Sequence, residues 1–202
     1  YLRNPGMSVW VFAALARLTR AVTPTGLARS LQLLSVAGIL LLIPLIRRFL
    51  QNSREEREPW LWAFALAMVN PFQVFYQRKL WPEPFFPFFT TLFLMAWFRR
   101  ERPWGAFFWG LIGAALGQIH MSGFFFALAL VLWTAAAETW RGWSRSSWRA
   151  WFVGSCAGAW PLIPWALEVL RNPVRERMTR GWEEISQLKF WVFWVSDALG
   201  IH

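Results

Sequence analysis

Tyr76-Gln77-Arg78-Lys79-Leu80-Trp81-Pro82-Glu83 sets two cations and a carboxylate between two apolar runs, Trp60 to Phe75 and Pro84 to Phe98. A charged residue at the centre of a membrane-spanning helix costs about 2.5–3.5 kcal/mol, so such a cluster must reach water, a headgroup or a partner. The octapeptide therefore reads as a turn between two membrane spans. The basic clusters Arg47-Arg48, Arg99-Arg100-Glu101-Arg102 and Arg141 to Arg149 fall one span away from it. With those on the cytoplasmic side, the octapeptide lies on the opposite face.

Composition points the same way. Of 202 residues, 56% are hydrophobic, with 17 Trp and 19 Phe, more large apolar side chains than one soluble core of this length needs. Apolar runs near span length, separated by short charged breaks, fit a polytopic helical protein. The net charge of +10 raises nucleic acid as a partner. The basic residues, however, cluster at the ends of apolar runs, and no zinc pattern or nucleic-acid module is visible. The expected partners are membrane lipids, not nucleic acid. The one cysteine, Cys156, excludes an internal disulfide and a multi-cysteine metal site; in an apolar helix it reads as a packed thiol. Opening at Tyr1 and stopping at His202 after an aromatic run, the chain reads as an internal fragment of a longer polypeptide.

The predicted fold is all-α, a single membrane domain of about six spans with an external interfacial helix. Residues 1–25 form the external segment, 26–170 the six spans and 171–202 an external tail. The apolar run Met7 to Leu18 is short of the roughly 20 residues a crossing needs, which favours an interfacial helix. The spans are Leu27 to Ile46, Trp60 to Tyr76, Pro84 to Phe98, Trp104 to Ile119, Phe124 to Ala137 and Ala150 to Leu170. The segment Gln51 to Glu58 reads as a solvated loop. Gly113 and Gly117, four apart, have the spacing that lets helix backbones approach, although chance in a Gly-rich helix accounts for them equally. Pro161 and Pro164 predict a kink in the last span. Ten arginines fall in the breaks 47–57, 99–102 and 141–149, against Arg78 and Lys79 in the alternate breaks. That bias makes the ten-arginine side cytoplasmic.

Several candidate site residues then gather on the external face. Arg78 and Lys79 can bind a phosphate, the first by a planar fork and the second as a point charge; a plain interface anchor is the other reading. Glu83 can accept a hydrogen bond from a sugar hydroxyl or hold Arg78. Gln118 and His120 donate and accept at the same level, although a histidine at a helix turn often only satisfies nearby carbonyls. Tyr76 and Trp81 offer flat faces for a sugar ring or a prenyl chain. Glu168, Glu183 and Glu184 read as solvated, and Trp10, Trp60, Trp62, Trp104 and Trp151 as an interfacial belt. No phosphate loop, nucleophile elbow or metal-ligand spacing is visible.

Asn4-Pro5-Gly6-Met7-Ser8-Val9-Trp10, an amphipathic helix, and Leu27-Ala28-Arg29-Ser30-Leu31 opening a span together resemble the segment after the first external loop of GT-C membrane glycosyltransferases. The similarity is to their protein O-mannosyltransferase and aminoarabinose–lipid A transferase branch. Asn70-Pro71-Phe72 with Tyr76 to Pro84 resembles that family's turn between the third and fourth spans. Gln118-Ile119-His120-Met121-Ser122-Gly123 is similar to its next external turn. The resemblance implies sugar transfer from a polyprenyl-phosphate-linked donor to an acceptor on the non-cytoplasmic face, the acceptor being a lipid, a glycan or a protein. It implies Arg78 and Lys79 at the donor phosphate, with Tyr76, Trp81, Glu83, Gln118 and His120 lining the pocket. The catalytic base is expected in a loop before Tyr1, so no catalytic residue is assigned within this sequence. The family's acidic position is often Asp where this chain has Glu83. No cofactor is required; some members use a divalent metal, which nothing in this sequence indicates. A bacterial cytoplasmic membrane is the expected location.

A non-enzymatic multi-pass membrane protein, such as a transporter or lipid-handling subunit, is the competing class. A transporter often shows an internal repeat and paired broken helices near the midplane. The sequence has no such repeat, and its charge cluster sits at a span end.

Overall fold

The computed structural model describes residues 6–49, 54–69 and 80–171. Every regular element among them is helical. Nine α-helices follow in order: α1 Met7–Thr19, α2 Pro24–Leu40, α3 Leu42–Phe49, α4 Arg54–Val69, α5 Phe86–Phe98, α6 Pro103–Ile119, α7 Met121–Trp140, α8 Trp148–Ala159 and α9 Ile163–Arg171. Short 3-10 turns, Glu83–Phe85 and Trp160–Leu162, precede α5 and α9.

Local chemistry accounts for many of these boundaries. Thr23 caps α2 by accepting a hydrogen bond from the Gly26 N–H, and Pro24 occupies its first position, where a missing N–H costs nothing. The predicted first span is divided at Leu41 because Pro44 has no N–H to offer the carbonyl of Leu40. The helix α4 begins at Arg54, inside the segment read as a loop. The second half of the expected span Trp60 to Tyr76 lies outside the described residues, as does nearly all of the tail. In the predicted last span, Pro161 and Pro164 separate α8 from α9.

The tightest packing joins α6 to α8. A Cβ at Gly110 would fall on the carbonyl oxygen of Trp151, one at Gly154 on that of Phe107, and one at Gly158 on that of Leu111. The close approach is therefore built from Gly110 with Gly154 and Gly158, the latter pair four apart on α8. Gly113 and Gly117 serve otherwise: added Cβ atoms would meet the Phe93 ring at 2.9 Å and the Phe124 Cβ at 3.2 Å. Because Gly154 and Gly158 turn toward α6, Cys156 between them is exposed, not packed as the sequence reading had it. Trp109 is fully buried in this core, with its ring 5.5 Å from that of Trp148 and 5.7 Å from that of Trp151.

Among the described residues, two helical runs are long and apolar enough to cross a membrane: Pro24–Arg48, of 25 residues, and Met121–Trp140, of 20. At 1.5 Å per residue the latter is about 30 Å long, the thickness of a hydrocarbon core. Of the other predicted spans, α5 has 13 residues and α6 has 17, and the last is broken between α8 and α9.

A second core fixes the position of α1. Leu31 of α2, Phe85 and Ile119 are buried together, and Met7, Val11, Phe12 and Leu15 pack against them. Those four residues recur at helical spacing and form one face of α1. Phe12 meets Phe85 edge-on at 4.7 Å. The helix thus covers the end of the bundle where α5 begins and α6 stops.

Candidate functional site

Glu83 and His120 meet at that end. Glu83 opens the 3-10 turn that leads into α5, and this turn is closed by the Phe85 N–H donating to the Pro82 carbonyl. His120 is the extended residue between α6 and α7. Its Nδ1 accepts a hydrogen bond from the Ser122 N–H at 3.2 Å, so the imidazole acts as the cap of α7. The Ser122 hydroxyl lies 2.7 Å from the same nitrogen. With Nδ1 accepting, the neutral ring carries its hydrogen on Nε2, a tautomer assigned from this network. Nε2 faces Glu83 Oε1 at 3.8 Å, and the two side chains are 37% and 36% exposed. Phe86 stands edge-on to the imidazole at 6.0 Å. The second carboxylate oxygen of Glu83 is buried and accepts no hydrogen bond from the described residues. A buried acceptor without a donor is costly, and it offers a place for one hydroxyl or amine.

The other predicted residues fall as follows. Gln118 is buried, and its amide donates to the carbonyls of Ala114 at 3.0 Å and Gly158 at 2.7 Å. It ties α6 to α8 and spends both donors within the bundle. Trp81 is exposed, two residues before the 3-10 turn that begins at Glu83. Tyr76, Arg78 and Lys79 lie outside the described residues. Of the predicted site, the structure brings Glu83 and His120 together and directs the Gln118 amide elsewhere.

An apolar cavity of about 710 Å³ opens at the same end, lined by Met7 and Trp10 of α1 and by Trp160, Pro161, Pro164 and Trp165. Phe85, two residues past Glu83, anchors α1, and Gly158, two residues before Trp160, holds Gln118. The broken helix α8–α9 and the short α1 thus leave an aromatic groove, whose lining includes neither Glu83 nor His120.

Sequence reading passed over a second polar cluster, at the opposite end. Glu138 in the last turns of α7 is 8% exposed. It accepts from the Ser144 hydroxyl at 2.8 Å, the Ser146 N–H at 3.0 Å, the Ser146 hydroxyl at 2.6 Å and the Trp148 Nε1–H at 3.0 Å. Arg100 Nε lies 3.8 Å from Glu138 Oε1, and the Ser147 N–H donates to the Arg100 carbonyl at 2.9 Å. Burial lowers the pKa of Arg100 from its ordinary value, against the opposing pull of Glu138 and Glu101; a guanidinium remains charged regardless. Arg145 pairs with Glu101 at 3.5 Å. The loops 99–102 and 141–147 are therefore one structure at one end of the bundle, as the alternating charge pattern requires. The available signal was a lone carboxylate ending an apolar helix with serines just beyond it. The predicted span stopped one residue short, at Ala137.

Among the described residues no group of His, Cys, Asp or Glu is arranged to hold a metal ion. No protein-family model, curated protein or solved structure matches the chain, and the chemistry of either end rests on its own residues.

Proposed function

We propose that the chain is part of a multi-pass membrane glycosyltransferase of GT-C type, transferring a sugar from a polyprenyl-phosphate-linked donor on the non-cytoplasmic face. The membrane half of this reading draws on surface chemistry. Phe124 and Phe125 of α7 are 52% and 61% exposed, and Trp60, Leu61, Trp62 and Leu66 of α4 are exposed along one helix. Such apolar surface is stable against lipid and not against water. The catalytic half draws on one observation, the Glu83 carboxylate, which has one oxygen 3.8 Å from His120 Nε2 and leaves the other without a donor among the described residues.

In this reading the acceptor hydroxyl attacks the anomeric carbon, the bond from that carbon to the lipid phosphate breaks, and the phosphate departs as an anion. Glu83 holds a sugar hydroxyl, with His120 Nε2 facing the carboxylate at 3.8 Å. Arg78 and Lys79 lie five and four residues before Glu83 in sequence. Their role would be to offset charge on the departing phosphate. The aromatic groove between α1 and α9 suits a long apolar chain. The hydroxyl proton passes to a general base, a role assigned to none of the residues named here.

The test is transfer of labelled sugar from a polyprenyl-phosphate donor in membranes bearing the full-length polypeptide, normalised to protein level. A charge-assisted hydrogen bond is worth about 1.5–3 kcal/mol, so Glu83→Gln and Arg78→Ala should each lose about tenfold to a hundredfold in activity. Arg99→Ala, at the opposite end, should stay near wild type. Wild-type activity in both Glu83→Gln and Arg78→Ala at equal expression would remove the site.

A further inference from the structure

At the end opposite the Glu83–His120 pair, a pocket of about 150 Å³ lies between the two loops, and Arg100, Arg141, Arg145, Trp97, Trp133 and Trp143 contribute to its wall. Glu138 also borders it, so three guanidiniums face one carboxylate. That carboxylate is already occupied by two serine hydroxyls, a backbone N–H and an indole N–H. Its 3.8 Å separation from Arg100 Nε is too long for a hydrogen bond. Arg100 Nε is buried and has no hydrogen-bond partner among the described residues. The guanidiniums are held in place by rings: Arg100 sits 4.5 Å over Trp97 and Arg145 sits 4.0 Å over Trp143. Arg100 Nη1 donates to the Trp97 carbonyl at 3.3 Å and Arg145 Nη1 pairs with Glu101 at 3.5 Å, which leaves each guanidinium further in-plane N–H groups of the kind that recognise a phosphate. The pocket borders the end of α7, with Trp133 68% exposed and Trp140 92% exposed at the level where interfacial tryptophans sit.

We propose that this pocket binds the phosphate of an anionic phospholipid headgroup. The inference rests on the membrane reading above and is independent of the glycosyl-transfer reading. A headgroup here would satisfy the buried Arg100 donor, lock the two loops together and hold this end at the lipid surface. Basic pockets beside transmembrane helices on the cytoplasmic side take such lipids, drawn by the negative potential of that leaflet.

The experiment counts phosphatidylglycerol and phosphatidylcholine bound to the full chain in detergent by native mass spectrometry. It compares wild type with Arg141→Gln/Arg145→Gln, and with Arg47→Gln/Arg48→Gln, which removes the same charge elsewhere. Both altered pocket arginines are exposed, so the fold should persist. The expected result is a phosphatidylglycerol preference that falls by about tenfold or more in the pocket variant and much less in the control. Equal losses in the two variants, or no preference in wild type, would overturn the proposal. So would an effect of inorganic phosphate that phosphatidylglycerol does not share, because the ligand would then be a free phosphate. Resistance of the wild-type chain to alkaline carbonate extraction tests the membrane reading separately: retention with equal losses removes the pocket alone, whereas release removes the lipid source and the proposal with it.

Discussion

Replacing Glu138 should damage stability more than any other single change at its end of the bundle. Its two oxygens take four hydrogen bonds, among them the buried Ser146 N–H and the Trp148 indole. Glu138→Ala strands both N–H donors and leaves Arg100, whose side chain is 18% exposed, beside an empty space. A hydrogen bond to a charged group contributes about 1.5–3 kcal/mol, but bonds sharing one acceptor do not add. Removal of one partner from a buried charge pair costs about 3–5 kcal/mol, a fair total for the whole cluster. Glu138→Gln keeps one carbonyl acceptor and turns an NH₂ group toward donors, so about 1–3 kcal/mol is expected. The measurement is reversible unfolding in mixed micelles, followed by helical circular dichroism. A cycle with Arg100→Gln then separates the ion pair from the neutral bonds. At 3.8 Å the pair should couple weakly, with most of the loss persisting in the Arg100→Gln background. A loss below about 1 kcal/mol for Glu138→Ala would show that the loop is not organised by this carboxylate.

Gly154→Val should cost about 1–3 kcal/mol or more, because its first added carbon falls on the Phe107 carbonyl. Gly6→Ala, where the nearest atom lies 3.7 Å away, should unfold like wild type in the same assay. In a Cys156→Ala background, thiol labelling of intact membranes should reach Glu101→Cys and Ser122→Cys from opposite sides; labelling from one side would refute the placement of the two polar ends across a bilayer.

How much was legible before the structure depended on what kind of information each feature needs. Helix existence is local: Met7 to Leu18 against α1, and Trp104 to Ile119 against α6, differ from the observed limits by one residue. The break at Pro161 and Pro164 is equally local, since a missing N–H disrupts any helix that contains it. The break at Leu41 follows from the same rule applied to Pro44, yet an uninterrupted run of leucines and isoleucines concealed it. The choice among glycines was not local. Gly113 and Gly117 have the same spacing as Gly154 and Gly158, and which pair meets a carbonyl depends on how α6 and α8 cross. The sequence shows the spacing and not the neighbour.

The polar residues divide along the same line. His120 and Glu83 are 37 positions apart in sequence, and each stood out because it interrupts apolar surroundings. Gln118 stood out for the same reason, yet its donors belong to Ala114 and Gly158. A buried glutamine in an apolar helix must satisfy its amide, and a glycine carbonyl on a closely approaching helix meets that need without any ligand. Glu83 differs in having a buried oxygen that no described residue satisfies. Polarity in an apolar setting therefore identifies residues with a hydrogen-bonding debt, and only geometry separates an internal partner from an external one. On that criterion Gln118 is structural, Glu138 is saturated by its own loop, and Glu83 and Arg100 retain capacity for something else. These two lie at opposite ends of the bundle. One is a carboxylate suited to a hydroxyl and the other a guanidinium suited to a phosphate, so the groups they hold must differ, and loss of one should leave binding at the other intact.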